Sequence, residues 1–349
     1  MAFKTPTYSK KQINRAGDTL ISSNATVQME TEALEVLNHW RSCHAYPINT
    51  FQATLRKRLS KVCTDGIIAQ RLKRTPSILK KLRDNPSMRM ARMQDIGGLR
   101  AITKTIHQVR KLEELYTDGS FQHELVKKDD YISHPKCSGY RSLHLIYKYK
   151  NSKNDQYDGF NLELQLRTEL QHAWATAVET IGAFLDQALK SSQGSEEWLR
   201  YFQVVSAAFS LLEDSPVLTE FSHLSKNEIF SQVISLTKRL NVEVQLKAFA
   251  IASDKITRGD MSGSYHLLTL NTSKKTINIR SFSKKRLDDA NAEYAELESR
   301  TDDLDNIQVV LVATNSVKNL RRAYPNYFLD TSNFLTALEK IKEAKNLNS

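Results

Sequence analysis

Residues 134–144 have the sequence HPKCSGYRSLH, and the predicted fold is organised around this stretch. A proline and a glycine on either side of Lys136 predict a loop, which is expected to lead into a strand. Side chains on a strand alternate between two faces, so Tyr140, Ser142 and His144 are expected to share one of them. An aromatic ring, a hydroxyl and an imidazole in a row are typical of a surface that binds a flat polar ligand. An ordinary amphipathic edge strand has the same pattern.

The composition favours a large protein with anionic partners. The chain has 349 residues, enough for two domains, and its net charge of +11 favours nucleotides, RNA or phosphate-rich surfaces. Cys43, Cys63 and Cys137 form no CxxC pair, so neither a zinc site nor a disulfide framework is expected. The first residues lack a signal-peptide pattern and no apolar run is long enough to span a bilayer. We therefore expect a cytoplasmic protein with no membrane partner.

The residue patterns predict four parts of the chain, which are residues 1–28, 29–215, 216–240 and 241–349. The first part is polar, the second holds the motifs described below, and the third is a helical connector. The last part is expected to form a separate, smaller α/β domain with a possible regulatory role. Its predicted strands are 242–251, 265–270, 276–282 and 307–313, and its predicted helices are 284–300 and 331–345.

A basic strand and a basic helix follow one another in residues 66–82. Residues 67–73 are predicted to be a strand on which Arg71 and Lys73 point the same way. Thr75 as N-cap and Pro76 at the first helical position predict a helix start. The first two turns add Ser77, Lys80 and Lys81. Free N–H groups and several cations at one helix end predict a polyphosphate site, and the alternative is a solvated basic helix.

Two carboxylates stand in positions that suit catalysis or metal binding. Asp95 precedes Gly97-Gly98, where a tight turn or a close backbone approach is expected, and Arg100 follows on a strand. Residues 160–167 alternate between apolar and polar side chains, which predicts a half-buried strand with Glu163 in the middle of its polar face. The same polar face carries Gln165 and Arg167. A carboxylate there can bind Mg²⁺ or accept a proton from a hydroxyl, although solvated strand polarity is an equal alternative.

Taken together, four segments resemble the RelA/SpoT alarmone-synthetase family. The segments are RLKRTPSILKKL, DIGGLRAI, DDYISHPKCSGYRSLH and LELQLRTELQHAWA, in the family's order, and they lie within residues 66–180. The resemblance implies an α+β or α/β fold, in which a mixed β-sheet is flanked by helices as in nucleotidyltransferases. It also implies transfer of the β,γ-pyrophosphate of ATP to the 3′-hydroxyl of GDP or GTP.

The resemblance further implies a role for each matching residue. Arg71 and Arg100 would sandwich the adenine of ATP. The ATP phosphates would be held by Lys73, Ser77, Lys80 and Lys81. Asp95 and Glu163 would bind Mg²⁺, and Glu163 would also deprotonate the acceptor hydroxyl. Tyr140 would stack on the acceptor guanine. The acceptor site would be completed by Lys136, His144, Gln165 and Arg167.

The chain also departs from the family's pattern. Where the family usually has Lys-Asp-Tyr, this chain has Asp129-Asp130-Tyr131, which puts a basic contact to the acceptor in doubt. The sequence contains no His-Asp dipeptide, so the hydrolase half of bifunctional members is not expected. Residues 241–349 match no regulatory module of the long members. The resemblance therefore predicts a synthetase-only enzyme with an appended domain.

Two other functions remain open at this stage. In the first, the acceptor is the 3′ end of tRNA or an adenosine nucleotide, which the net charge and Asp129 motivate. In the second, residues 241–349 neutralise a toxic synthetase until a trigger such as a phage component releases it. The sequence does not determine the oligomeric state.

Overall fold

The structure is a computed structural model, and it describes residues 3–184, 196–246, 257–258, 263–271, 274, 276–301, 307–313 and 331–346. The helices are α1 (Lys10–Leu20), α2 (Val27–Cys43), α3 (Ala45–Val62), α4 (Thr75–Asp84), α5 (Ile106–Thr117), α6 (Glu169–Phe184), α7 (Glu196–Leu212), α8 (Lys226–Arg239), α9 (Leu287–Thr301) and α10 (Ser332–Asn346). The strands are β1 (Ile67–Leu72), β2 (Gly97–Thr103), β3 (Glu124–Asp130), β4 (Leu143–Lys148), β5 (Asn161–Thr168), β6 (Thr257–Arg258), β7 (Tyr265–Asn271), β8 (Thr276–Phe282) and β9 (Ile307–Ala313).

The described strands form one mixed sheet in the order β3-β4-β5-β2-β1-β9-β7-β8-β6. Strands β2 and β5 pair in parallel, as do β6 and β8, and the other neighbours pair antiparallel. Helices α3 and α5 pack on the central strands β1, β2 and β5. The mixed sheet with flanking helices that the sequence predicted is confirmed. In the described part of the chain, no helix is both long and apolar enough to cross a bilayer.

The strand register lines up the polar positions of neighbouring strands. Gly98 of β2 lies opposite Arg71 of β1 and beside Glu163 of β5. In the next row Gln165 lies between Arg100 of β2 and His144 of β4. Paired residues project to the same side of a sheet, so these two rows place polar side chains from four strands on one face.

Among the described residues, buried side chains form clusters that join the helices to one another and to the sheet. The first fills the space between the central strands and helices α1–α5. The second joins α6, α7, α8 and α10, where Trp174, Phe202, Phe230 and Phe334 pack together. The third joins α9 to β7, β8 and β9 through residues such as Phe282. The strands that follow residue 241 extend the same sheet through the β1–β9 pairing. The domain boundaries that the sequence predicted stay predictions.

Within the last part of the chain, one predicted element is wrong. The strands β7, β8 and β9 and the helices α9 and α10 lie where the sequence predicted them. A strand was predicted over residues 242–251, but residues 242–246 are helical. Val242 and Leu246 are buried while Val244 is 68% exposed, so the buried positions are four residues apart, as on a helix. Residues 247–251 lie outside the described residues.

Candidate active site

A cleft of about 420 Å³ lies on the polar face of the sheet, above β1, β2, β4 and β5. It is lined by most of the residues that the sequence singled out, namely Arg71, Lys73, Lys81, Asp95, Arg100, Lys136, Tyr140, His144, Glu163, Gln165 and Arg167. Ser77 and Lys80 are not among the lining residues. The ammonium of Lys80 instead pairs with Asp84 at 3.3 Å on the exposed side of α4. One cavity therefore brings together side chains from five separate segments.

The floor of the cleft between two arginines is formed by a glycine. Arg71 lies opposite Gly98, and Arg100, which lies opposite Ala69, is two residues further along β2 and on the same face. A Cβ atom built on Gly98 would meet only the backbone oxygen of Arg71, at 3.8 Å. The absence of a side chain at Gly98 leaves room for a planar group above the backbone, in the part of the cleft that Arg71 and Arg100 also line.

Asp95 is held by two lysines at the same end of the cleft. The ammonium of Lys73 lies 2.9 Å from one carboxylate oxygen, and that of Lys81 lies 2.9 Å from the other. Burial alone would raise the pKa of Asp95, but Lys73 and Lys81 together hold it below its ordinary value. An anionic ligand that draws away the two ammonium groups would expose both oxygens of Asp95.

The beginning of α4 differs from the sequence prediction. Thr75 is the first residue of the helix and Arg74, with extended backbone angles, occupies the N-cap position, so the prediction of Thr75 as N-cap is wrong. The amide of Thr75 donates to Glu298 Oε1 at 3.2 Å, and the hydroxyl of Thr75 donates to Glu298 Oε2 at 3.1 Å. The first N–H group of the predicted polyphosphate site is thus bonded to a carboxylate from α9.

A closed ring of hydrogen bonds surrounds Glu163. Nδ1 of His144 lies 2.9 Å from Glu163 Oε1, and the amide of Gln165 donates to Oε2 at 2.8 Å. The guanidinium of Arg167 donates to the amide oxygen of Gln165 at 2.6 Å and to the hydroxyl of Tyr140 at 2.9 Å. That hydroxyl lies 2.9 Å from Nε2 of His144, which closes the ring. Each member fixes the rotamer of the next, so the carboxylate is held in one orientation.

The ring also sets the charge of its two titratable members. Burial would raise the pKa of Glu163, but the hydrogen bond and the charge of His144 hold it below its ordinary value. Burial would lower the pKa of His144, but Tyr140 and Glu163 raise it above its ordinary value. Glu163 is therefore ionised at neutral pH and can accept a proton from a hydroxyl placed beside it.

Tyr140 reaches the ring from a loop. The sequence placed Tyr140 and Ser142 on a strand, but β4 begins at Leu143. Gly139 has a φ of +90° in the turn before Tyr140, a region that favours glycine, and its amide bonds to the carbonyl of Lys136 at 2.8 Å. The hydroxyl of Ser142 donates to the carbonyl of Leu166 and is buried, so this side chain does not line the cleft.

Other residues that were assigned no role from the sequence also line the cleft, among them Lys127, Asp129, Tyr131 and Glu179. Lys127 pairs with Asp129 at 2.8 Å on β3. The ammonium of Lys136 lies 4.4 Å from the ring centre of Tyr131 and 5.5 Å from that of Tyr140. Lys127 and Asp129 could have been predicted as cleft residues, because they are two residues apart on a strand that leads into the segment DDYISHPKCSGYRSLH and so share one face of the sheet.

The described residues contain no group of three or more His, Cys, Asp or Glu side chains that could hold a metal ion by itself. Asp95 and Glu163 both line the cleft and are close enough that the charge of Asp95 opposes ionisation of Glu163. Two carboxylates suit Mg²⁺ because this ion commonly takes one or two carboxylates and completes its shell with phosphate oxygens and water. The two residues therefore fit a metal that arrives with a phosphorylated ligand.

Comparison with known proteins shows where the chain has relatives. A family model described as a region found in RelA/SpoT proteins matches residues 70–182. The chain is 34% identical over 112 residues to GTP pyrophosphokinase YjbM of Bacillus subtilis (strain 168), which covers 31% of this chain and 52% of YjbM. It is 34% identical over 87 residues to GTP pyrophosphokinase YwaC of the same strain, which covers 24% of this chain and 40% of YwaC. The chain thus matches about half the length of these curated relatives, or less.

Among solved structures, the chain is similar to small alarmone synthetase 1 from Bacillus subtilis bound to its product pppGpp. The identity is 28%, the match covers 42% of this chain and 73% of that chain, and the TM-score is 0.36.

Every site residue predicted from the sequence lies inside the segment that the family model matches, whereas Arg41 and Glu298 lie outside it.

Proposed function

We propose that this chain, whose residues 70–182 match the model of a region found in RelA/SpoT proteins, is an ATP-dependent pyrophosphokinase of that family. It would transfer the β,γ-pyrophosphate of ATP to the 3′-hydroxyl of GDP or GTP. The matched relatives YjbM and YwaC are named GTP pyrophosphokinases. The observation that carries the proposal is that one cleft is lined both by a group of cations and by Glu163, a carboxylate whose pKa is held below its ordinary value.

We divide the cleft into two halves by the proposed substrates. The donor half consists of Arg71, Lys73, Lys81, Asp95 and Arg100, and the acceptor half consists of Lys136, Tyr140, His144, Glu163, Gln165 and Arg167. The adenine of ATP would lie above Gly98 between the two arginines. The proposed phosphate contacts of Lys73 and Lys81 would replace their ion pairs with Asp95. Phosphate contacts of Ser77 and Lys80, which lie outside the cleft, stay predictions.

The proposed chemistry needs an aligned hydroxyl and neutralisation of the migrating charge. The 3′-oxygen of the acceptor forms a bond to the β-phosphorus of ATP while the bond from that phosphorus to the α,β-bridging oxygen breaks, and AMP leaves. The hydroxyl proton passes to Glu163, whose orientation is fixed by His144 and Gln165. Mg²⁺, when bound, would be held by Asp95 and Glu163 together with phosphate oxygens and would supply further positive charge.

The acceptor base has an aromatic platform available in this proposal. Tyr140 would contact the guanine with its ring while its hydroxyl remains bonded within the ring around Glu163. Lys136, whose ammonium lies above the rings of Tyr131 and Tyr140, would supply a cation beside this platform for the acceptor phosphates. The carboxylate of Asp129 faces the same space, and its pairing with Lys127 reduces the repulsion that an acceptor phosphate would meet.

An acceptor panel tests the proposal. Purified full-length protein is incubated with Mg²⁺ and ATP labelled at the γ-phosphate, and GDP, GTP, AMP, ADP or bulk tRNA is added in separate reactions. We expect label in a 3′-pyrophosphorylated guanosine nucleotide, formed about 10³-fold more slowly after the change Glu163→Gln. Label in tRNA or in an adenosine nucleotide, and not in GDP or GTP, would show that the acceptor is not a guanosine nucleotide. If the protein binds ATP but forms no labelled product, the proposed transfer is disproved.

A further inference from the structure

A carboxylate from α9 is buried at the base of the donor half. The side chain of Glu298 is 7% exposed and that of Arg41 is 4% exposed, and the distance between Glu298 Oε2 and Arg41 Nη1 is 2.7 Å. The same Nη1 atom donates to the hydroxyl of Thr75 at 2.8 Å. Arg41 Nη1 also donates to Asn38 Oδ1 at 3.2 Å, so Glu298 supplies the counter-charge of a guanidinium that has further hydrogen bonds. Removal of Glu298 would leave the buried charge of Arg41 without that counter-charge.

The position of Glu298 on α9 is unusual for a charged residue. Leu287, Ala290 and Tyr294 are buried and mark the face of α9 that packs against the strands. Glu298 follows Tyr294 by four residues and so continues that buried face. The guanidinium of Arg41 lies 5.0 Å from the ring centre of Tyr294, so α9 contacts it through both residues. A carboxylate on a buried face requires a hydrogen-bond partner, and Glu298 has partners in Arg41 of α2 and Thr75 of α4.

The contact reaches the donor half through the backbone of Lys73. Nε of Arg41 donates to the carbonyl oxygen of Lys73 at 3.0 Å, and the amide of Lys73 donates to the carbonyl of Ile96 at 2.8 Å. The ammonium of Lys73 in turn contacts Asp95. The turn from Lys73 to Thr75 is therefore fixed on one side by the sheet and on the other by the Arg41–Glu298 pair.

We propose that Glu298 is a positioning residue for the donor half. Acting through Thr75 and Arg41, it fixes the turn that carries Lys73, and so sets where the Lys73 ammonium meets the donor phosphates. This inference rests on the proposed function. Glu298 lies outside the segment that the family model matches. A residue of α9 would therefore help to position the lysine that binds the donor.

The same contact permits an opposite interpretation, in which α9 restrains the enzyme and its release activates transfer. The geometry favours positioning because Glu298 bonds to the backbone and hydroxyl of Thr75 and does not line the cleft. Its carboxylate supports the wall of the site without occupying the space of a ligand. The two interpretations predict effects of opposite sign on donor affinity, so one experiment separates them.

The experiment measures donor binding by calorimetry with a non-hydrolysable ATP analogue and Mg²⁺, and transfer kinetics with ATP and GDP. The variants are Glu298→Gln, which keeps an acceptor for Thr75 but removes the charge, and Thr75→Val, which keeps the ion pair but removes the hydroxyl. The matched control is Glu296→Ala, which removes an exposed carboxylate of α9 that pairs with Arg300. All are made in the full-length chain.

We expect Glu298→Gln to raise the Kd of the analogue and the KM for ATP about tenfold, or about 1.4 kcal/mol. Thr75→Val should raise both about threefold, and Glu296→Ala should leave both unchanged. The kcat at saturating ATP should change less than twofold for every variant. If Glu298→Gln fails to fold, the neutral double variant Arg41→Met/Glu298→Leu removes both charges at once, a change that buried ion pairs often tolerate, and the same rise is expected.

Unchanged or tighter donor binding in the folded variants would overturn the inference, and a rise in activity would favour restraint by α9 instead. A fall in kcat with no change in Kd or KM would also overturn it. Wild-type protein that binds the analogue but makes no product would disprove the proposed transfer, while the binding comparison would still decide the role of Glu298. Wild-type protein that does not bind the analogue would contradict both.

Discussion

In the donor half of the cleft, the carboxylate of Asp95 is shared by two lysine ammonium groups. In the acceptor half, the carboxylate of Glu163 is shared by His144 and Gln165, which are themselves bonded to other side chains. The donor arrangement is a set of ion pairs that phosphate oxygens can exchange one by one. The acceptor arrangement is a closed ring in which no bond needs to be exchanged before a hydroxyl arrives.

The two arrangements together would allow one face of the sheet to bind the charged donor ATP and also to hold the proposed base Glu163 in a fixed orientation. Exchangeable ion pairs suit the proposed donor half, because a bound polyphosphate would draw Lys73 and Lys81 from Asp95 and would free its oxygens for a metal. A fixed ring suits the acceptor half, because a base must be within hydrogen-bond reach of one particular proton. Changes in the acceptor half should therefore act mainly on kcat, and changes in the donor half mainly on KM for ATP or on the Mg²⁺ requirement.

The largest effect is expected for Glu163→Gln. A glutamine can keep hydrogen bonds to the ring but cannot accept the hydroxyl proton or contribute negative charge to a metal, so kcat should fall by about 10³-fold. Turnover with ATP and GDP is the measurement, and Glu114→Gln, an exposed change of the same type on α5, is the control. Donor affinity should change little. A kcat within tenfold of wild type would show that Glu163 is not the base.

Asp95→Asn should have the next largest effect and a different signature. Without this carboxylate the metal loses a proposed ligand, and turnover at a fixed, low Mg²⁺ concentration should fall by about 10²-fold. Higher Mg²⁺ should recover part of the loss, whereas it should recover none of the loss caused by Glu163→Gln. Turnover as a function of Mg²⁺ concentration measures this. Equal Mg²⁺ requirements in wild type and variant would remove Asp95 from the proposed metal site.

The polar face of β5 was predictable from the sequence, because alternation on a strand directly encodes which side chains share a face. Glu163, Gln165 and Arg167 lie together as the alternation indicated. The place of Tyr140 was not predictable in the same way. Its chain segment satisfies the alternation, but Gly139 at positive φ keeps it in a loop, and the strand begins three residues later than Tyr140.

The support of the donor half could not be predicted from local sequence. Glu298 contacts Thr75 at a sequence separation of 223 residues and Arg41 at a separation of 257 residues. The periodicity of a helix or strand does not predict contacts between residues so far apart in the sequence. The sequence offered one indication, which is that Glu298 follows Tyr294 by four residues and so lies on the apolar face of α9. A buried carboxylate there needs a hydrogen-bond partner, but the sequence does not show which residue provides it. Thr75 was interpreted as an N-cap because its type suits that position, but here the capping acceptor comes from another helix.

Gly98→Val tests the donor half without touching a charge. The Cβ atom has room, at 3.8 Å from its nearest contact, and valine suits a strand better than glycine, so the melting temperature should not fall. The branched side chain would fill the space between Arg71 and Arg100, and KM for ATP should rise about tenfold, equivalent to about 1.4 kcal/mol of lost donor binding. KM for GDP is the internal control. An unchanged KM for ATP would show that no planar group enters between the arginines.

Tyr140→Phe should have the smallest effect and the most specific one. It removes only the hydroxyl that joins Arg167 to His144, and leaves the aromatic ring in place for the acceptor base. The change removes two hydrogen bonds, and at about 0.5 kcal/mol for each of them kcat should fall about fivefold, while KM for GDP stays near that of wild type. Steady-state kinetics with varied GDP separates the two parameters. A higher KM for GDP with unchanged kcat would mean that the hydroxyl contacts the acceptor itself, and that the acceptor half, like the donor half, exchanges protein partners for substrate.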